Sequence, residues 1–204
     1  MIAPVQSPAD VVNLALVRIG YKKQIGSLYD GSLAARVALT IYAQTRDELL
    51  RSEDWGFAER NISLDLLKQA PANGFYPPGQ WSNAYPPIPW LYEYAYPADC
   101  LKVRAVRPQP LFVMDFDPQP FVWTVQNDNS LNEPDKVILC NADSAILTYT
   151  GRLTNPADWE ADFTEAFAAA MARRLAPITV GLDAAKMEAS DEQQAKSIAD
   201  DAQG

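Results

Sequence analysis

The chain is 204 residues long, carries 26 acidic against 17 basic residues for a net charge of -9, and contains no histidine. The missing imidazole removes Ser-His-Asp and Cys-His catalysis, histidine-ligated metals and a histidine pH switch, and the acidic balance argues against tight binding to a phosphate backbone. With 48% apolar residues and Cys100 and Cys140 as the only thiols, the composition is that of one large or two small globular domains with reduced, buried cysteines. No apolar run reaches the roughly 18 residues of a membrane span. The first ten residues lack the basic and apolar regions of a signal peptide.

Ser7-Pro8-Ala9-Asp10 predicts a helix start: a capping hydroxyl, a proline at the first helical position and an acid at the positive end of the dipole. Val11, Leu14, Ala15 and Ile19 recur at helical spacing, and Gly20 marks the stop. A connector runs over 21–31. Ser32 then opens a second helix to about Ser52, with Ala34, Val37, Ala38, Ile41, Tyr42, Thr45 and Leu49 on its apolar face and Arg36, Thr40, Asp47 and Arg51 opposite. Asp47 and Arg51 stand four apart with the acid first, the favoured order for an ion pair.

From Trp55 the period shifts toward two. Ile62, Leu64 and Leu66 fall on one face of "NISLDLL". The Pro-, Tyr- and Trp-rich stretch 69–89 predicts a long loop, because proline removes donors and blocks helix, and its aromatics suit a contact surface. Strands are predicted at 90–97, 101–108, 110–114, 120–126, 135–141 and 145–152, with "NDNS" and "NADS" as turns. Asn155-Pro156-Ala157-Asp158 repeats the cap pattern and predicts a helix carrying Trp159, Phe163, Phe167, Ala170 and Met171 on one stripe, with Arg173 and Arg174 in its last turn and Pro177 at its end. Residues 183–204 hold six acids against two lysines and few large apolar residues beyond Met187 and Ile198, a segment expected to order only when docked.

The predicted fold is α+β. The N- and C-terminal helices (1–54 and 153–182) form a helical bundle, and residues 55–152 form an inserted antiparallel β domain, sandwich- or barrel-like.

Catalytic signals are weak. Glu53, Glu59, Asp158 and Glu160 offer acid pairs of the kind a muralytic enzyme would use, but acids in the first turn of a helix are explained by its dipole alone. "GSLAAR" is not a phosphate loop, and "DFDPQP" lacks the glycine and closing glutamate of a calcium loop. Trp81, Trp90 and Trp123 would serve a glycan-binding β module; aromatic residues in β-rich segments more often fill cores and interfaces. No cofactor is expected.

The run "ALVRIGYKKQIGSLYDGSLAARVALTIYAQTRDELLRSEDWGFAERNISL" resembles the N-terminal part of the head-to-tail adaptor (connector) proteins of tailed bacteriophages, of the tail tubular A or tail accessory factor type. The matching residues are Ile19-Gly20, Ile25, Ser27-Leu28, Asp30-Gly31-Ser32, Ala35-Arg36, Tyr42, Arg46-Asp47, Leu50-Arg51, Trp55, Phe57-Ala58 and Arg60. Tyr94 to Leu101 and the closing segment "YTGRLTNPADWEADFTEAFAAAMARRLA" extend the likeness. The resemblance implies a helical bundle carrying a β domain. It implies a ring of subunits, commonly twelve, below the portal protein, assembled from subunits that can be monomeric when free. Such a ring extends the DNA channel without binding DNA specifically and offers a platform to a tail or nozzle protein. The setting would be the virion, and the host cytoplasm during assembly, with no membrane anchor. On this reading Arg36, Arg46, Asp47, Arg51, Arg60, Met187 and Ile198 are the expected subunit or portal contacts. Phe75, Tyr76, Trp81 and Tyr85 are the expected tail-side or neighbour contacts. Trp55 and Phe57 are expected to plug the seam between bundle and β domain.

Overall fold

The computed structural model describes residues 7–78, 84–109, 120–130 and 135–177. The strand expected at 110–114, Trp81, and the segment 183–204 with Met187 and Ile198 lie outside the described residues. Helix α1, Pro8–Arg18, begins as its sequence dictates. Ser7 Oγ accepts from the Asp10 amide (3.3 Å) and Asp10 Oδ2 accepts from the Ser7 amide (2.9 Å), so two orphan donors of the first turn are satisfied reciprocally. At the other end Gly20 takes φ +75. The Gly20 amide donates to the Val17 carbonyl and the Tyr21 amide to the Leu16 carbonyl, both at 3.0 Å, the paired bonds of a Schellman end. The buried stripe is Val11, Val12, Ala15 and Leu16, with Leu14 and Ile19 only half-buried. Asn13, between the expected positions, is spent on the connector: its side chain bonds both the amide and the carbonyl of Ile25 (2.8 and 2.9 Å), which holds Ile25 in the core.

Asp30 accepts from the amides of Gly26 and Ser32, and Ser32 Oγ accepts from the Ala35 amide, which starts helix α2, Leu33–Ser52. Its buried residues include Ala34, Ala35, Ala38, Tyr42, Thr45, Arg46 and Leu50. Asn155 caps differently from Ser7. Its side chain accepts from Ala157 and donates to Asp158, and it caps only a 3-10 turn, Pro156–Asp158. The chain is extended at Trp159 (ψ 142), and helix α3 occupies 161–177. The break follows from packing: Trp159 stacks on Tyr42, meets Phe163 and Phe167 edge-on, and donates from Nε1 to the Leu153 carbonyl. The buried stripe of α3 is Phe163, Thr164, Phe167, Ala168, Met171, Ala172 and Leu175. Arg18 pairs with Glu165, joining α1 to α3, and Arg174 reaches Thr45 Oγ1 (2.7 Å) and Glu48 on α2.

Seven strands follow α2 among the described residues: β1 Glu59–Ser63, β2 Leu66–Gln69, β3 Tyr92–Ala95, β4 Cys100–Pro108, β5 Trp123–Asp128, β6 Asp135–Cys140 and β7 Ala145–Gly151. They make two antiparallel sheets, ordered β1-β7-β4 and β2-β3-β6-β5. Residues 59–69 cross from one sheet to the other in a nearly unbroken extended run. The Leu64 amide still donates to Ala145 and the Asp65 carbonyl still accepts from Ala95, both at 2.9 Å. Between the sheets lie Leu64, Tyr94, Val103, Val106, Ile138, Leu147 and Tyr149, together with Cys100 and Cys140, which are free thiols pushed up by burial. The fold is α+β. It divides into two compact units, one built from the chain up to Leu49 and from Leu153 onward, the other spanning Leu50–Arg152.

Candidate interaction surface

The face of the three-stranded sheet turned away from the sandwich core carries charge and is bonded across all three strands. Alternation decides which residues reach it. On β7, Ala145, Leu147 and Tyr149 point inward, so Thr148 and Thr150 point out, opposite Asn61 and Glu59 of β1. Lys102 of β4 is also paired with Thr150. Arg104 is the centre of this face. Its Nη2 donates to the Trp55 carbonyl (2.7 Å), Nε to Thr150 Oγ1 (2.9 Å) and Nη1 to Glu59 Oε2 (2.9 Å), and Nε lies 3.5 Å from Asp54 Oδ1. Only 8% of the Arg104 side chain is exposed, so this planar fork acts as a structural joint between the end of α2, β1, β4 and β7. Lys102 Nζ holds Asp54 at 2.9 Å and lowers its pKa. Thr148 Oγ1 donates to Asn61 Oδ1 (2.6 Å) and accepts from Arg107 (3.2 Å), which completes the ladder.

A second group lies at the start of β4. Arg60 pairs with Asp99, whose carboxylate also accepts from Tyr149 OH (3.1 Å) and whose carbonyl accepts from the Arg152 amide. Gly151 makes room for it: a Cβ there would come within 2.7 Å of Arg60 Cδ. Beside this charged face, the edge run 59–69 leaves Ile62, Leu66 and Leu67 exposed. An open strand edge with apolar side chains is a natural template for another polypeptide.

The structure places the sequence-predicted contact residues differently from one another. Arg36 and Arg51 are exposed on α2. Arg46 is buried and pairs with Asp47 through Nη2 at 2.7 Å. Arg60 is bonded to Asp99 as above. Phe75 is exposed, while Tyr76 and Tyr85 meet edge-on at 5.6 Å across the loop. Trp55 and Phe57 are half-buried and meet edge-on at 6.1 Å. Of the acids that would serve hydrolysis, Glu53 is exposed, Glu59 is spent on Arg104, Asp158 bonds Asn155, and Glu160 offers its carbonyl to Thr164. Trp123 packs against the sandwich core and Trp90 is half-buried in the loop. Arg104 and Lys102 escaped the sequence reading, because their partners lie 45 to 49 residues away along the chain.

Among the described residues no group of three or more His, Cys, Asp or Glu side chains could hold a metal ion, and no helix is long and apolar enough to cross a membrane. Compared with known families and curated proteins, the chain matches no family model and no curated sequence.

Proposed function

We propose that this chain is a structural adaptor of a tailed-phage head-to-tail junction: a subunit that docks under a portal protein as a ring, extends the DNA channel and carries a tail or nozzle protein. The observation that carries the reading is the insertion of the two-sheet unit Leu50–Arg152 into a helical unit drawn from both flanks of the chain. That is the architecture implied by the resemblance of residues 13–66, 90–107 and 147–176 to the adaptor family. The charged sheet face suits a subunit contact, because polar and charged faces fix register and partner choice more than they add affinity. The open edge 59–69 is a further surface for a neighbour. The net charge of -9 fits a channel wall along which DNA slides without sticking.

Mixing the protein with a cognate portal ring and weighing the product by native mass spectrometry tests this. Stoichiometric addition of subunits to the ring supports it. A protein that stays monomeric and ignores the portal overturns it.

A further inference from the structure

An ammonium and two carboxyls are buried together on the four-stranded sheet. Lys68 of β2 is paired in register with Glu93 of β3, and Asp128 closes β5. Lys68 Nζ stands 2.5 Å from Asp128 Oδ2, 3.1 Å from Glu93 Oε1 and 2.9 Å from Ser130 Oγ. The three side chains are 11%, 8% and 2% exposed for Lys68, Asp128 and Glu93. Glu93 Oε1 is enclosed yet makes no hydrogen bond of good geometry, although Nζ is within reach. Burial raises the Glu93 pKa, Lys68 offsets this in part, and Asp128 adds to the rise. Burial also pushes Asp128 up, but Lys68 and two bonds from Ser130 bring its carboxyl down to about 2. The cluster brings one amine and two carboxyls together in a nearly closed site.

We propose that Lys68 and Asp128 condense into an amide bond between β2 and β5, with Glu93 carrying the protons. Lys68 first passes one proton to the Asp128 carboxylate across their short contact, leaving a neutral amine and a neutral acid. The amine lone pair forms the C–N bond at Asp128 Cγ, and the carbonyl π pair moves to oxygen, which Glu93 protonates. The ionised Glu93 then takes the surplus proton from nitrogen and delivers it to the departing hydroxyl. The C–O bond breaks, one water leaves, and Glu93 takes back the proton of the remaining hydroxyl, whose oxygen becomes the amide carbonyl. The balance is ammonium plus carboxylate giving amide plus water, with Glu93 restored; no oxidant or activating group is consumed. Two features of the site favour the step. The amine and the carboxyl are already in contact through Asp128 Oδ2, which replaces a bimolecular encounter by a fixed geometry. The product is also neutral, so condensation removes two buried charges whose desolvation is costly. β2 and β5 are the two edges of their sheet, and the bond would tie those edges together across 60 residues of chain.

The test is the intact mass of the denatured full-length chain, followed by proteolysis. The expected wild-type mass is lower than the sequence mass by one water, and the digest contains a branched peptide joining Lys68 to Asp128. Lys68→Arg is expected at its full sequence mass. Glu93→Gln, checked for folding by circular dichroism, is expected at full mass as well. Wild-type protein at full mass overturns the proposal without any variant having to fold. So does a water lost elsewhere, such as a ring closure at Asp30-Gly31. A folded Glu93→Gln chain that still loses the water overturns the role given to Glu93.

Discussion

At the scale of single residues, burial separates two kinds of charge. Arg104 is enclosed, but its acids are not: the Asp54 and Glu59 side chains are 60% and 43% exposed. Arg104→Met therefore strands the Trp55 carbonyl and the Thr150 hydroxyl more than it strands the acids, and is expected to cost about 1–3 kcal/mol. Lys68→Met removes the partner of two enclosed carboxyls, and with it the proposed bond to Asp128, and is expected to cost about 3–5 kcal/mol. Urea titration of the two variants should show this order. Asp54 supplies the pH dependence of the exposed network. Lys102 lowers its folded pKa below the 3.8 of a free aspartate, so the unfolded chain takes up the proton first. The stabilisation is present above that value and is lost as pH falls through the folded one. The urea midpoints of wild type and Asp54→Asn should differ at pH 6 and converge as the pH drops below about 4; a gap that persists in acid would remove Lys102 as the cause.

At the scale of elements, local signals were legible and long-range ones were not. Ser7, Pro8, Asp10 and Gly20 act within one turn of their own positions, and α1 begins and ends where they predict. Asn155-Pro156-Ala157-Asp158 carries the same local signal, yet Trp159 has a better partner in the Tyr42–Phe167 cluster, and packing breaks the helix before it can propagate. The β5–β7 strands stood out as short runs of strand-forming residues bounded by turn clusters. Lys68, Glu93 and Asp128 did not stand out together, because a cluster drawn from β2, β3 and β5 has no spacing to read. Trp55 had been expected to behave as a buried plug and is half-buried, so Trp55→Ala should cost less than Phe167→Ala, whose ring is fully buried and whose loss should cost about 3–5 kcal/mol. Gly20→Ala, placing a Cβ at φ +75, should cost about 1–2 kcal/mol by strain alone. Equal losses for the two aromatic variants in thermal melts would refute the burial argument.

At the scale of the whole molecule, the chain leaves a helical unit at the end of α2, builds two sheets and returns to the helical unit at Leu153. The order of elements was readable from the periodicity change at Trp55 and the second cap at Asn155. The outward charged face was not, since strand order decides which polar residues meet. The adaptor reading joins this architecture to the resemblance in residues 13–66, 90–107 and 147–176, and it makes a demand on assembly that the folded monomer does not. Native mass spectrometry of the protein mixed with portal ring is the direct measurement. The account predicts a complex holding about one copy of this chain per portal subunit, and a portal ring at its own mass alongside unbound monomer would contradict it.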